Sequence, residues 1–559
     1  MSTHRWFPLP EWLLSYRRDW LRPDIVAGLT TGAVIIPKAM AYAMMAGLPV
    51  QVGLYTALLP MLIYAVLGTS RVLSVSTSTT LAILTAAQLG QLVPNGEPAV
   101  MLRALTTLTL LVGAALVLAS LLRLGFVADF ISEPVLVGFR AGIGVVIVVD
   151  QIPKVLGIHF ARGTFVQNVL ATFHYLPKTS FATLAVGLMV VVCLLSIEHV
   201  MPKMPAPLLA VTAAIVAVNL FHLQHRGVEL VGYIPQGFPS AVIPDLSLVS
   251  VLWPGALGIA LMSFTETVAA GRGFARKDEP TPRADLDLLA TGLGNVAGSL
   301  IGAMPGGGGT TQTAVNVRAG ARTQLAEMVT AVMTLVTMFF LAPLIATMPQ
   351  SALAAMVIVY SFGLIQPIEF REILSIRWTE FSWAVVAFAG VVLAGTLQGI
   401  VVAIVVSLFT LAHQVANPPV YVLRRKPGTN VFRPESPEHP EDESFPGLLL
   451  LRPEGPIFFA NAAHIAHQIE PLIRRTQPTV VAVDASGVLD MEYTALKMFA
   501  QVAKTQSQQG VQLWLIGMNP RVLALVQRSP LGQMLRREGM FFNLEIAVAR
   551  FLATAHDRS

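Results

Sequence analysis

The sequence predicts a polytopic α-helical membrane protein of about 14 segments, arranged as a 7+7 inverted repeat and followed by a small cytoplasmic α/β domain. Three observations carry this reading. Apolar runs of spanning length, about 20 residues each, recur from Asp24 to Ala416. Mean hydropathy is +0.66, and charged residues make up only 12% of the 559-residue chain, against roughly 25% in soluble domains. From Gly447 the pattern changes to short apolar runs alternating with amphipathic helices, which argues a sheet backed by helices.

The spans fall at 25–44, 50–67, 76–92, 101–122, 126–150, 180–198, 206–222, 253–272, 286–302, 310–321, 324–347, 353–371, 378–395 and 397–416. Residues 1–23 precede them as a cytoplasmic segment; 24–416 is the membrane domain, 417–446 a linker rich in Pro, Glu and Arg, and 447–555 the α/β domain. Met1–Arg22 is aromatic and basic without a small-residue cleavage site, so it reads as an interfacial lead-in rather than a signal peptide. The basic residues Arg17, Arg18, Arg22, Arg71, Arg123, Lys203, Arg272, Arg276, Lys277, Arg318, Arg322, Arg371, Arg377 and Arg424–Lys426 all fall on one side of this plan. By the positive-inside rule that side is cytoplasmic and holds both termini, in a plasma or bacterial inner membrane; Lys154 dissents. The net charge of +5 suits loops beside anionic lipid better than a nucleic-acid surface. Cys193 stands alone, excluding a disulfide framework, and no phosphate-binding glycine loop or metal-ligand cluster occurs, so neither cofactor nor metal is expected.

The interruptions within the apolar pattern point to the function. Gly302-Ala-Met-Pro-Gly-Gly-Gly-Gly-Thr-Thr-Gln-Thr lies between two apolar runs, and four consecutive glycines cannot hold a helix. From Thr310 the chain can be helical again, giving a half-helix whose N-terminal amides point into a cavity. Gly68–Thr80, with Ser76, Thr77 and Ser78, is a second such entry, at the third position of the first half as Gly309 is of the second. Two inverted halves place both half-helix starts near the midplane, facing each other, as an anion site built from backbone. Thr310, Thr311 and Thr313 join the serines as candidate side-chain donors, set against helix capping as the plainer role. Lys38 lies deep in span one, where a lysine costs on the order of 3 kcal/mol and is a functional candidate unless it snorkels. Tyr42, one turn on, is a candidate pocket wall or a packing aromatic. Glu266, late in span eight, is a carboxylate among apolar residues, suited to loading and unloading a proton or else to a static ion pair with Lys38 or Arg272. His199, His222 and His225 read as solvated surface histidines.

Further pieces resemble the SulP family of sulfate permeases and related anion transporters. They are Asp24-Ile-Val-Ala-Gly-Leu-Thr, Ala46-Gly-Leu-Pro, Gly68-Thr-Ser-Arg, Val231-Gly-Tyr-Ile-Pro-Gln-Gly-Phe-Pro, Thr265-Glu-Thr, Gly292-Leu-Gly-Asn-Val-Ala-Gly-Ser and Gly320-Ala-Arg-Thr. Val483-Asp-Ala-Ser-Gly-Val and Glu492-Tyr-Thr-Ala-Leu resemble the STAS domain that follows the membrane domain in this family. The resemblance implies core and gate subdomains, elevator-like alternating access, a homodimer, and an anion held between the third and tenth segments, at Gly309 and Gln312 among others. It also implies that Glu266 is the acid of proton-coupled members. Two departures stand out: Lys38 replaces a usual Gln, and Gln312 replaces a frequent Arg, so the expected positive charge has moved to segment one. Sodium-coupled relatives place a hydroxyl where this chain has Ala270, which disfavours sodium. Thr494 occupies the place of the phosphorylatable serine of soluble STAS relatives, but its acidic surroundings favour a dimer or regulatory surface. The expectation is therefore secondary active, proton-coupled transport of a small inorganic anion or dicarboxylate such as sulfate, bicarbonate or succinate. An uncoupled channel or exchanger, a sodium-coupled bicarbonate symporter, a nucleobase symporter and an anion sensor are the competing readings; no constellation for an enzyme is present.

Overall fold

A computed structural model describes residues 11–92, 97–125, 132–160, 163–201, 204–275, 279 and 281–556. Residues 1–10 of the lead-in, the start of span five at 126–131, Lys203, Arg276 and Lys277 lie outside the described residues. The chain divides into two compact units, Met1–Ser407 and Leu408–Ser559.

The first unit is helical. After α1 (Glu11–Leu14), its first half comprises α2 (Leu21–Met45), α3 (Gln51–Thr56), α4 (Leu59–Leu67), strand β1 (Val75–Ser76), α5 (Thr79–Leu92), α6 (Pro98–Leu121), α7 (Glu133–Leu156), α8 (Phe165–Tyr175), α9 (Phe181–Val200) and α10 (Ala206–Leu220). The second half follows with α11 (Val249–Gly273), α12 (Ala284–Ser299), strand β2 (Gly307–Gly308), α13 (Thr310–Arg318), α14 (Leu325–Val336), α15 (Ala342–Ala346), α16 (Gln350–Phe362), α17 (Pro367–Ile376), α18 (Trp378–Ala389) and α19 (Thr396–Ala416). Counting α3 with α4 and α14 with α15 as one span each, and leaving out α1, α8 and α17, this order is consistent with seven segments per half. Each half has its broken segment in third place. Two departures from the predicted spans have local causes. Span twelve, expected to run from 353 to 371, ends at Phe362, because Gln366 precedes Pro367 and a residue before proline avoids helical geometry. The separate α17 that follows buries none of its residues. The unexpected α8 starts at a capping box formed by Thr164 and Gln167.

The helices pack in two groups. One holds α4, α6, α11, α12 and α14; the other holds α7, α9, α10, α16 and α18; α2 packs on members of both. Small residues set the closest approaches: a Cβ at Gly113 of α6 would lie 2.7 Å from the backbone nitrogen of Val296 on α12. Buried polar caps fasten the segments. Asp24 accepts from the Arg322 and Thr323 amides at 2.6 and 3.0 Å and from the Thr323 hydroxyl at 2.6 Å. Asp287 likewise accepts from Tyr64 Oη and from the amide and hydroxyl of Thr69. Because unpaired polar groups are costly away from water, these contacts give the motifs at 24, 68–71 and 320–323 a structural role in this fold.

The second unit is a six-stranded sheet in the order β4-β3-β5-β6-β7-β8. Its strands are β3 (Val420–Arg425), β4 (Phe432–Pro434), β5 (Leu448–Pro453), β6 (Val480–Asp484), β7 (Gln512–Ile516) and β8 (Met540–Phe541). The helices are α20 (Ala462–Thr476), α21 (Tyr493–Gln508), α22 (Pro520–Gln527), α23 (Pro530–Leu535) and α24 (Leu544–His556). β5 to β8 are parallel and read as nearly continuous apolar runs because both faces are covered. Leu449 and Leu451 face the core with α20 to α23, whereas Leu448 and Leu450 face α24, the period of two expected of a strand. The stretch 417–446 expected as a linker is instead folded: β3 pairs antiparallel with β5 and with β4. Its arginines mark an edge region rather than a tether. Ile457 forms a single isolated bridge with Met491.

Candidate functional site

The two interrupted stretches meet. β1 and β2 pair antiparallel, Val75 opposite Gly308 and Ser76 opposite Gly307. α5 and α13 begin just beyond the paired residues, at Thr79 and Thr310. Two helix N-termini thus come together inside an apolar unit, each with unpaired amides and a partial positive charge. The glycines permit this because β2 lies directly on α11. A Cβ at Gly308 would sit 2.6 Å from Thr267 Cα, and one at Gly307 would sit 2.8 Å from Ser263 Oγ. In the space so gained, the Gly308 amide donates to Thr267 Oγ1 at 2.8 Å and Ser263 Oγ donates to the Gly306 carbonyl at 2.7 Å. Asn295 brackets Gly306 from both sides, accepting from its amide at 2.7 Å and donating to its carbonyl at 3.0 Å.

The predicted site residues divide by what they touch. Ser76 and Thr77 are buried, and neither hydroxyl has a partner among the described residues. Ser78 Oγ donates to Glu266 Oε2 at 2.7 Å and accepts from the Leu81 amide at 3.2 Å, capping α5. On the other arm the buried side chains are spent within the protein. Thr313 Oγ1 donates to the Gly309 carbonyl at 2.7 Å and accepts from the Ser74 amide at 3.1 Å. Gln312 Nε2 donates to the Thr77 carbonyl at 3.1 Å, and the Gly309 amide donates to the Ser74 carbonyl at 2.9 Å. Thr310 and Thr311 are exposed. Ser76, Thr77, Ser78, Gly309, Gln312, Thr313 and Glu266 are therefore brought together.

Tyr42 is buried, with its hydroxyl beside Thr79 and within electrostatic reach of Glu266. Lys38 is only 3% exposed, so it does not snorkel to lipid. Its ammonium lies 3.8 Å from the ring centroid of Tyr360 on α16, a cation–π contact on the seam where α2 meets the second helix group. No ion pair joins Lys38 to Glu266 among the described residues. Tyr360 in turn is within electrostatic reach of Tyr42. Arg140 escaped the sequence reading although the signal was there, an arginine inside the apolar run of α7. It lies within electrostatic reach of Glu266 and 3.7 Å from Glu133. Glu327 escaped it too, a wholly buried acid on α14 that accepts from Ser74 Oγ at 2.9 Å.

Broken segments meeting through short strands inside a helical unit with several spanning-length apolar helices are an architecture of membrane transport proteins. Comparison with known proteins gives the particular family. The model of the sulfate permease family matches residues 21–389, and that of the STAS domain matches residues 439–546. A probable sulfate transporter of Mycobacterium tuberculosis is 31% identical over 556 residues, covering 99% of each chain. High affinity sulfate transporter 2 of Stylosanthes hamata is 28% identical over 572 residues, 98% of this chain and 86% of that one. Among solved structures, the murine solute carrier 26 family member A9 anion transporter in the inward-facing state matches with a TM-score of 0.91 at 22% identity, over 99% of this chain and 96% of that one. The transmembrane domain of the cyanobacterial bicarbonate transporter BicA matches with a TM-score of 0.60 at 22% identity, over 70% of this chain and 98% of that one. The chain belongs to the sulfate permease family and carries a STAS domain.

Proposed function

We propose that this protein is a proton-coupled secondary transporter of a small oxyanion, sulfate before bicarbonate or a dicarboxylate. The observation that carries the reading is the pairing of β1 with β2, which sets two helix starts side by side with the unpartnered hydroxyls of Ser76 and Thr77 between apolar helices. Amides and hydroxyls replace an oxyanion's hydration shell without formal charge, so binding stays weak enough for release. Lys38 contributes the fixed positive charge, as a point charge that reads oxyanion shape less strictly than an arginine fork does.

Glu266 is the coupling group. Ionised, it opposes a nearby anion; protonated, it does not, so proton and anion favour each other's binding by the same factor. One proton per anion then allows a gradient of one pH unit to drive up to roughly tenfold accumulation at zero membrane potential. The helix group carrying β1 and β2 slides against the group carrying α16, an elevator-like alternation, in a homodimer placed in the cell membrane with both termini cytoplasmic. The sulfate transporter names of the relatives support the anion, and Ala270 counts against sodium.

Radiolabelled uptake into proteoliposomes tests this, comparing sulfate, bicarbonate and succinate under imposed pH and sodium gradients. Sulfate accumulation that follows an inward proton gradient is expected, and Glu266→Gln removes the accumulation while leaving exchange. Flux that ignores both gradients identifies an uncoupled exchanger or channel instead, and saturable binding without flux identifies a sensor.

A further inference from the structure

Glu327 is fully buried on α14, and its surroundings do not suit a carboxylate. One oxygen, Oε2, accepts from Ser74 Oγ at 2.9 Å; the other, Oε1, has no partner among the described residues. Three residues earlier, at the N-cap of the same helix, Gln324 is also fully buried. Its amide nitrogen donates to the carbonyls of Ser70 and Leu73, both at 2.8 Å, and its Oε1 is likewise without a partner. Both side chains therefore grip the same stretch, 70–74, which leads into β1, and each leaves one acceptor oxygen unsatisfied beside it.

Two orphaned acceptors and a buried formal charge are a costly combination, since no cation pairs with Glu327 among the described residues. The neighbouring elements offer none. On α2, Asp24 is occupied by the Arg322 and Thr323 amides, and Lys38 lies over Tyr360. On α4, Tyr64 gives its hydroxyl to Asp287. At the end of α13 and just beyond it, Arg318 and Arg322 are exposed, and Arg71, within the gripped stretch, lies over the Trp20 ring and reaches Ser15 Oγ at 3.4 Å. One proton cancels the charge and turns the orphaned Glu327 oxygen from an acceptor into a donor.

We propose that Glu327 is a second proton-binding site, distinct from Glu266, and that protonated Glu327 with Gln324 forms a clasp holding the approach to β1 on α14. The clasp ties one arm of the anion site to the proton concentration. Ionising Glu327 leaves an unpaired buried charge beside the Ser74 hydroxyl, which loosens residues 70–74.

Infrared spectroscopy of the full-length protein in lipid tests the assignment. A carbonyl band of a protonated, deuterium-sensitive carboxyl group is expected at neutral pH, lost in Glu327→Gln and retained in Glu266→Gln. The thermal midpoint of the wild type should fall as pH rises, because the folded state binds a proton the unfolded state has released, and the fall should be smaller in Glu327→Gln. If Glu327→Gln does not fold, Ser74→Ala reads the same band, which should move to higher frequency when the carbonyl loses its donor. A band indifferent to both substitutions overturns the proposal. So does a midpoint raised by sodium chloride but not by choline chloride and dependent on Glu327, which would make the ligand sodium. Loss of the band in Glu266→Gln alone would place the proton at the coupling group and leave Glu327 without one.

Discussion

The two arms of the site resemble each other in outline but not in use. On the β1 arm, Ser76 and Thr77 keep their hydroxyls free of protein partners, whereas on the β2 arm Thr313, Gln312 and the Gly309 amide are all committed to residues 74–77 of the opposite arm. The glycines of β2 carry no side chain at all and lie against α11. In the proposed site, the first arm supplies the unpartnered hydroxyls and the second builds the platform that positions them. Mutations on the first should therefore act on anion affinity, and mutations on the second on integrity.

The largest effect is expected at the platform. Gly308→Val forces a branched side chain into Thr267, overpacking that costs about 1–3 kcal/mol or more. It should cut uptake at least tenfold together with the yield of folded protein, read by size-exclusion and uptake. Next comes Lys38→Ala, which should raise the apparent Km for sulfate by roughly tenfold, about 1.4 kcal/mol; unchanged affinity would remove the lysine from the site. Ser76→Ala combined with Thr77→Val should raise Km severalfold while leaving the thermal midpoint in place, because no hydrogen bond within the protein is lost. Gln312→Ala should show the reverse, a loss of about 1 kcal/mol of stability with Km within about twofold.

The smallest effect lies in the other unit and serves as a control. Arg433 grips Asp442 with two hydrogen bonds of 2.7 and 2.8 Å, and these hold the Asp442 carboxyl below the usual carboxylate range. A depressed carboxyl stabilises the fold above the ordinary carboxylate range and ceases to do so as pH falls through its own lowered value. Arg433→Ala should thus lower the unfolding midpoint seen by Trp514 fluorescence at neutral pH, converge with the wild type in acid, and leave uptake unchanged.

Much of this was legible in the residue order. Span lengths, the change of pattern after Ala416 and the meeting of the two glycine- and hydroxyl-rich stretches follow from hydropathy and from the inability of four glycines to stay helical. The division of labour between the arms was not legible. Whether a threonine binds a ligand or a backbone carbonyl depends on a neighbour hundreds of positions away, as Thr313 meets Ser74. The same holds for Lys38, whose partner Tyr360 lies on another helix group. β3 and β4 were hidden because Pro418, Pro419 and the arginines around them resemble a tether, and only pairing with β5 reveals strands. Arg140 and Glu327 were visible as charges inside apolar helices, a signal that needed only to be applied evenly.

The most direct measurement is a structure of the full chain soaked in selenate, with the anion located by selenium anomalous scattering. Selenium is expected between the starts of α5 and α13, with its oxygens within hydrogen-bond distance of Ser76 Oγ and Thr77 Oγ1. Selenium found elsewhere, with water filling those two hydroxyls, would contradict the account.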